Sequence, residues 1–301
     1  MISRTPPFLV AVLAVLLGAG VPSLPGAAQT AGYADAGGVR LYYELHRPAG
    51  PPAEATPVVL VGGLGSGTWQ WEQQVPALAA QRPVLVFENR GAGRSEAPPG
   101  PYTAAQLADD LAALLDALGL GRVHVAGASL GGFVAQEFAL RYPERLDRLV
   151  LVATSAGGAA HVPAAPADLA LLFATDPDPA AQIRLRLPLA FTEAFLADSA
   201  AVVRLVAQRL EHPQSAQGYL AQAAAGATFD AAGRVGRIAA PTFVAHGMAD
   251  RLVPVANAHR LLEALPEAVL RLYPGGHQFF VEAPEAFNED LVAFLAGCAL
   301  P

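Results

Sequence analysis

The chain has 301 residues, 53% of them hydrophobic and 15% charged, which supplies a large core and excludes a disordered polymer. Its net charge of −7, with no basic run, argues against nucleic acid as a partner. The single cysteine, Cys298, excludes an internal disulfide; it stands near the end of an apolar helix-like run and is expected to be packed.

The first residues read as a targeting segment. Arg4 and the amino terminus give a positive start, and residues 8–19 are apolar but too few to cross a bilayer comfortably. Pro22 and Pro25 follow, and Gly26-Ala27-Ala28 offers small residues for cleavage after Ala28. The expectation is a cleaved signal peptide at 1–28 and export to a periplasm or beyond, with no membrane association in the mature form.

Residues 29–154 alternate between strand-like and helix-like patterns. A strand-like run at 39–45 precedes a Pro/Ala/Gly turn at 48–57. Fully apolar runs at 58–61 and 84–87 read as buried parallel strands. Between them, 69–80 reads as a helix. Thr103 is placed to cap a helix at 104–118, with Gly119 and Gly121 ending it. A strand at 123–126, a helix at 132–141 and a strand at 149–152 complete this part. Such alternation implies α/β architecture: a mostly parallel, doubly wound sheet with helices on both faces.

From 155 to 237 the strand pattern stops. The segment is rich in Ala, Leu and Pro with helical spacing, including 168–173, 191–196 and 200–210, and reads as a helical cap inserted over the carboxyl edge of the sheet. Asp176 and Asp178 read as turn formers. Residues 238–301 return to the core, with a strand at 241–246, a helix at 255–265, a strand at 269–273 and a closing helix at 284–296.

Chemistry concentrates at Gly127-Ala128-Ser129-Leu130-Gly131, between the strand at 123–126 and the following helix. A serine on that sharp turn projects its hydroxyl, and the helix aims its N-terminal N–H groups at the same place. Gly127 and Gly131 are required because a side chain there would meet backbone. Serine needs a base, and the base needs an orienting acid, both from the ends of later strands. His277, in Gly275-Gly276-His277, fits the base, and Asp250, after the strand at 241–246, fits the acid. An oxyanion hole needs two backbone N–H groups. Leu130 supplies one, and Leu64 in the glycine-rich loop 62–67, beside Gly63, supplies the other.

Other readings stand beside these. Asp250 has a second reading as a helix cap, and Asp147 is an alternative acid. His246 reads as packing at a strand end. His46, His124, His161, His212 and His259 show no metal-site spacing. Arg90 and Arg94 either steer an anionic substrate or hold neighbouring loops together. Leu172, Phe173, Leu189, Phe191 and Phe195 either line an apolar pocket or pack the cap.

Taken with Thr68-Trp69 and the turn at 89–95, these motifs make residues 35–300 resemble the α/β-hydrolase superfamily, in its esterase, lactonase and cofactor-free haloperoxidase-like branch. The resemblance implies a Ser129–His277–Asp250 triad hydrolysing a small to medium, mainly apolar ester or lactone, without metal or organic cofactor. Perhydrolysis and carbon–carbon bond hydrolysis use the same triad, and a ligand-binding module on the same fold is a further alternative that absence of turnover would favour. Two positions depart from the pattern: Gly62 stands where relatives usually carry histidine, and Glu88 where aspartate is common.

Overall fold

The computed structural model of the protein describes residues 28–48 and 55–300. Apart from Ala28, the leader predicted at 1–28 lies outside the described residues, as does most of the turn at 48–57. Ala28 itself opens an unanticipated edge strand, β1 (Ala28–Asp35), which pairs antiparallel with β2 (Arg40–Arg47) in register from Ala28↔Arg47 to Asp35↔Arg40. Its sequence, AQTAGYAD, is small, polar and mostly exposed. Backbone pairing holds it, and backbone pairing leaves no hydrophobic period to read.

The remaining strands are β3 (Val58–Val61), β4 (Val84–Phe87), β5 (Val123–Ala128), β6 (Leu146–Val152), β7 (Thr242–Gly247) and β8 (Ala268–Tyr273). They form an eight-stranded sheet in the order β1-β2-β4-β3-β5-β6-β7-β8, parallel from β4 through to β8. Short apolar strands serve here because both faces are covered. Val58 and Leu60 of β3 enter one buried cluster, Val59 and Val61 the other.

In chain order the helices are α1 (Val75–Ala79), α2 (Ala104–Ala117), α3 (Leu130–Arg141), α4 (Pro166–Phe173), α5 (Pro179–Ala190), α6 (Glu193–Leu196), α7 (Ser199–Glu211), α8 (Ala216–Ala227), α9 (Ala256–Ala264), α10 (Phe279–Glu282) and α11 (Pro284–Leu295). Helices α2, α3 and α9 cover one face through Leu107, Phe138 and Leu261, and α1, α10 and α11 the other through Leu78, Phe280 and Phe287. Thr103 Oγ1 accepts from Gln106 N at 3.1 Å and so caps α2. The helix expected over 69–80 is instead a 3₁₀ turn at Thr68–Trp71 followed by α1, with Pro76 at its start. A proline has no N–H to continue a preceding helix and suits a first turn, so the run divides before it. Cys298 is exposed rather than packed. Helix α11 stops at Leu295, and Gly297, at φ 82°, turns the chain away before the thiol is reached.

Between β6 and β7 the chain forms α4 to α8. Two of these, α5 and α8, had no counterpart among the expected helices. Pro188 inside α5 and the Ala/Gly-rich sequence of α8 blur the apolar stripe that would announce them. Asp178 caps α5, its Oδ1 accepting from Ala180 N at 3.0 Å.

The sheet order opens one crevice. β3 and β5 are parallel neighbours (Val61↔Gly127), but the chain leaves β3 towards β4 on one side and leaves β5 towards β6 on the other. The loops after the two strands diverge, and ligands of open α/β sheets bind at such switch points.

At the opposite, amino edge, His124 is 2% exposed, and its Nδ1 lies 3.3 Å from Asp147 Oδ2. Asp147 also pairs with Arg122 at 3.2 Å. This acid is therefore at the wrong end of its strand to serve Ser129. Burial, aided by the charge of Arg82, pushes the His124 pKa down to about 4. A depressed histidine pKa stabilises the fold above about pH 6.5 and loses that contribution as pH falls towards 4. The expected loss is about 3 kcal/mol. Urea unfolding of wild type and His124→Gln between pH 7 and pH 4 should show the smaller pH dependence in the variant; equal slopes would exclude this origin.

Candidate active site

Ser129 terminates β5 and precedes α3 with φ 54° and ψ −118°, a conformation that L-residues rarely adopt. Such strain persists only where neighbours over-determine it. Here Ser129 N donates to Val152 O at 2.9 Å, and Ser129 O accepts from Gly132 N and from Thr154 Oγ1, both at 2.9 Å. The turn closes only around glycine. A Cβ on Gly127 would lie 2.1 Å from Gly131 O, and one on Gly131 would lie 2.2 Å from Val61 O.

Gly63 brings the loop after β3 against the elbow: a Cβ there would sit 3.3 Å from Ser129 Cβ. The amides that follow these two contacting residues belong to Leu64 and Leu130. Among the described residues neither donates to a backbone or side-chain acceptor. Two unengaged N–H groups beside a serine are the components of an oxyanion hole.

The loop lacks the histidine anchor expected at Gly62 and is fastened by amides instead. Gly63 N donates to Gln70 Oε1 at 2.8 Å, Asn89 Nδ2 to Gly62 O at 3.2 Å, and Gly65 N to Gln222 Oε1 at 3.1 Å. Gln222 belongs to α8 and also donates to Arg90 O at 2.8 Å. The inserted helices thus hold the loop that faces the serine. Glu88, fully buried, accepts from Arg94 Nη2 at 2.7 Å and Arg94 N at 2.5 Å. Arg90 is paired with Asp110 through two contacts of 2.5 Å. Both arginines considered for anion steering are therefore occupied by carboxylates.

Asp250 follows β7 and His277 follows β8, which brings residues distant in sequence to one edge. His277 Nδ1 lies 2.8 Å from Asp250 Oδ2. A carboxylate only accepts, so Nδ1 carries the proton and Nε2 is left as the basic nitrogen. Asp250 Oδ1 accepts from Leu252 N at 2.9 Å and Val253 N at 2.8 Å. The carboxylate thus shapes its own turn and also receives the imidazole; it does not cap a helix, because α9 begins only at Ala256 with Val255 before it. Burial favours protonation of Asp250, but the His277 charge and the hydrogen bonds from His246 and His277 outweigh it and hold the pKa at about 2. No hydrogen bond joins Ser129 Oγ to His277 among the described residues; contacts of this kind commonly tighten only with substrate.

Three residues in this region make contacts that sequence reasoning missed. His246, with a fully buried side chain, places Nε2 2.7 Å from Val253 O and 3.2 Å from Asp250 Oδ2. Both are acceptors, so Nε2 is protonated, and Asp250 carries two imidazole neighbours rather than one. Its position four residues before Asp250 was the one available hint. Glu282 accepts from Gly276 N at 2.8 Å, beside His277, and from Thr192 Oγ1 at 2.6 Å, tying the histidine loop to the inserted helices. Gln278 N donates to Ala190 O at 2.8 Å across the same seam.

His246→Leu should lower kcat by about tenfold, because Asp250 loses a charge-assisted donor, and should lower Tm because Val253 O loses its partner. His246→Gln, which keeps an amide donor at similar reach, should recover most of the rate. Kinetics and thermal melts of both variants read this, and equal kcat in wild type and His246→Leu would remove His246 from the account.

The chain matches the alpha/beta hydrolase fold family over residues 56–284. It belongs to that family and is a hydrolase. It is 36% identical over 262 residues to a protein of Caulobacter sp. (strain K31) provisionally named carbamate hydrolase RutD, covering 85% of this chain and 96% of that one. It is 31% identical over 257 residues to 3-oxoadipate enol-lactonase 2 of Acinetobacter baylyi, covering 85% and 93%. Among solved structures, the enol-lactonase from Burkholderia xenovorans LB400 superposes with a TM-score of 0.77 at 27% identity, covering 88% of this chain and all of that one.

Proposed function

We propose that the protein hydrolyses a small carboxylic ester or lactone through an acyl-enzyme on Ser129. The observation that carries this reading is the 2.8 Å contact between His277 Nδ1 and Asp250 Oδ2, made at the strand edge where the strained Ser129 stands. Ser129 attacks the carbonyl while His277 Nε2 takes its proton. Asp250 fixes the tautomer and stabilises the imidazolium. The N–H groups of Leu64 and Leu130 receive the oxyanion. His277 then protonates the leaving alcohol and activates water for deacylation. The names of the lactonase relatives support an acyl substrate; that of the Caulobacter protein adds carbamates to the compounds worth assaying.

The test is a panel of alkyl and aryl esters, simple lactones and carbamates, assayed with wild type and Ser129→Ala. Turnover of esters or lactones that disappears in the variant supports the reading. Turnover confined to carbamates would replace the substrate class, and turnover equal in both proteins would refute the role of Ser129. Export is proposed on the N-terminal pattern. The mass of the protein recovered outside the cytoplasm reads it, with Gln29 as the expected first residue.

A further inference from the structure

Arg209, on α7, differs from Arg90 and Arg94. Arg90 and Arg94 are matched by carboxylates, whereas Arg209 has no carboxylate partner among the described residues. Its guanidinium stacks over the Trp69 ring at 4.1 Å and lies 5.9 Å from the Phe191 ring. Nη1 donates to Leu205 O at 3.1 Å, and Nη2 reaches Gln278 Oε1 at 3.4 Å. These contacts leave Nε–H and one N–H on each terminal nitrogen unengaged.

The surroundings place this group at the edge of the candidate active site. Trp69 follows the loop that carries Leu64, and Gln278 follows His277 directly. A cavity of about 150 Å³ opens beside Arg209, lined not by the arginine itself but by its contact residues Trp69, Leu205 and Gln278, with Phe195 and Arg204. The one carboxylate in its lining, Glu72, already accepts from Gln208. Burial lowers the Arg209 pKa to about 10, yet the residue keeps some accessible surface. The indole stack and two neutral acceptors offset that desolvation only in part, and a counter-anion would offset more of it.

We propose that Arg209, held between Trp69 and Gln278 where the inserted helices meet the core, binds a carboxylate on the substrate, so that the preferred ester or lactone is anionic. This rests on the acyl-hydrolase reading and departs from the expectation of a mainly apolar substrate. A planar guanidinium with free N–H groups on adjacent nitrogens suits bidentate recognition of a carboxylate. The aromatic stack fixes its plane.

The experiment compares monomethyl adipate with methyl hexanoate, which differ by a terminal carboxylate in place of a methyl. Wild type should favour the anionic ester in kcat/KM. Arg209→Gln should reduce the ratio of the two kcat/KM values by about tenfold or more, the effect of losing a charge-assisted hydrogen bond. Arg209→Lys, which keeps charge but not the fork, should fall between and serves if the glutamine variant folds poorly. Calorimetric titration of adipate into Ser129→Ala, with and without Arg209→Gln, reads the same contact without turnover. Binding lost with the arginine supports the site even if neither ester is hydrolysed, in which case it is the acyl-hydrolase reading that fails. A wild type with no preference for the anion, a ratio unchanged in Arg209→Gln, or adipate binding indifferent to Arg209 would overturn the proposal.

Discussion

Ser129→Ala is expected to lower kcat/KM by about 10³-fold or more, equivalent to about 4 kcal/mol of lost transition-state stabilisation. The fold should be intact, because among the described residues Ser129 Oγ supports no neighbouring group by hydrogen bonding. Ser129→Gly carries a sharper expectation. At φ 54° and ψ −118°, serine occupies a conformation that glycine reaches more readily. Removing the Cβ should therefore abolish activity while raising stability by about 1 kcal/mol, the lower end of what such backbone strain costs. In a protein of this size that is a Tm gain of about 2 °C. The pairing of lost rate with gained stability is specific to a strained nucleophile turn. A Ser129→Gly variant that is both inactive and less stable would show that the elbow stores no strain.

Asp250→Asn is expected to cost about 10⁴-fold in kcat, and the geometry says why. Leu252 N and Val253 N both donate to Oδ1. In the variant these donors hold the amide oxygen in that place, so the amide NH₂ must occupy the position of Oδ2. It then faces His277 Nδ1 and His246 Nε2 as a donor. His277 can satisfy it only by giving up its Nδ1 proton, which moves to Nε2 and leaves no basic nitrogen for Ser129. His246 cannot adapt in the same way, because its Nε2 also faces Val253 O. A second consequence concerns pH. With its pKa held at about 2, Asp250 is ionised above about pH 4 and does not itself produce an acid limb of kcat/KM at higher pH. For stability, a carboxyl depressed below its ordinary 3.8 stabilises the fold above that pH and loses the contribution as pH falls towards 2. Rate measurements on Asp250→Asn from pH 5 to 9 test the tautomer argument. A loss below tenfold throughout would show that the imidazole is oriented by something else.

The elements that the sequence disclosed were those with a local physical cause. The strands β3 and β4 are short and wholly apolar because both faces are buried, and that composition is legible. Ser129 is legible because a turn so tight admits only glycine at 127 and 131. Asp250 and His277 were found because the ends of later parallel strands converge on one crevice. What stayed hidden depends on contacts across the chain. β1 is held by pairing with β2 and has no apolar face of its own. From the sequence His246 reads as packing, since nothing local shows that the turn at 250–253 folds its ring onto the acid. Gln222 sits in a helix with little sequence signal, yet it fastens the glycine loop through Gly65, 157 residues away in the chain. Arg209 is one of several cap arginines without a carboxylate until the structure stacks it on Trp69 and sets it beside Gln278.

The central claim is that Ser129 is the nucleophile of this site, and covalent labelling tests it most directly. The protein would be treated with a fluorophosphonate, digested, and the adduct located by mass spectrometry. One equivalent on the peptide containing Ser129, absent in Ser129→Ala and greatly slowed in His277→Ala, is the predicted result. Labelling of another residue, or equal labelling of wild type and Ser129→Ala, would contradict it.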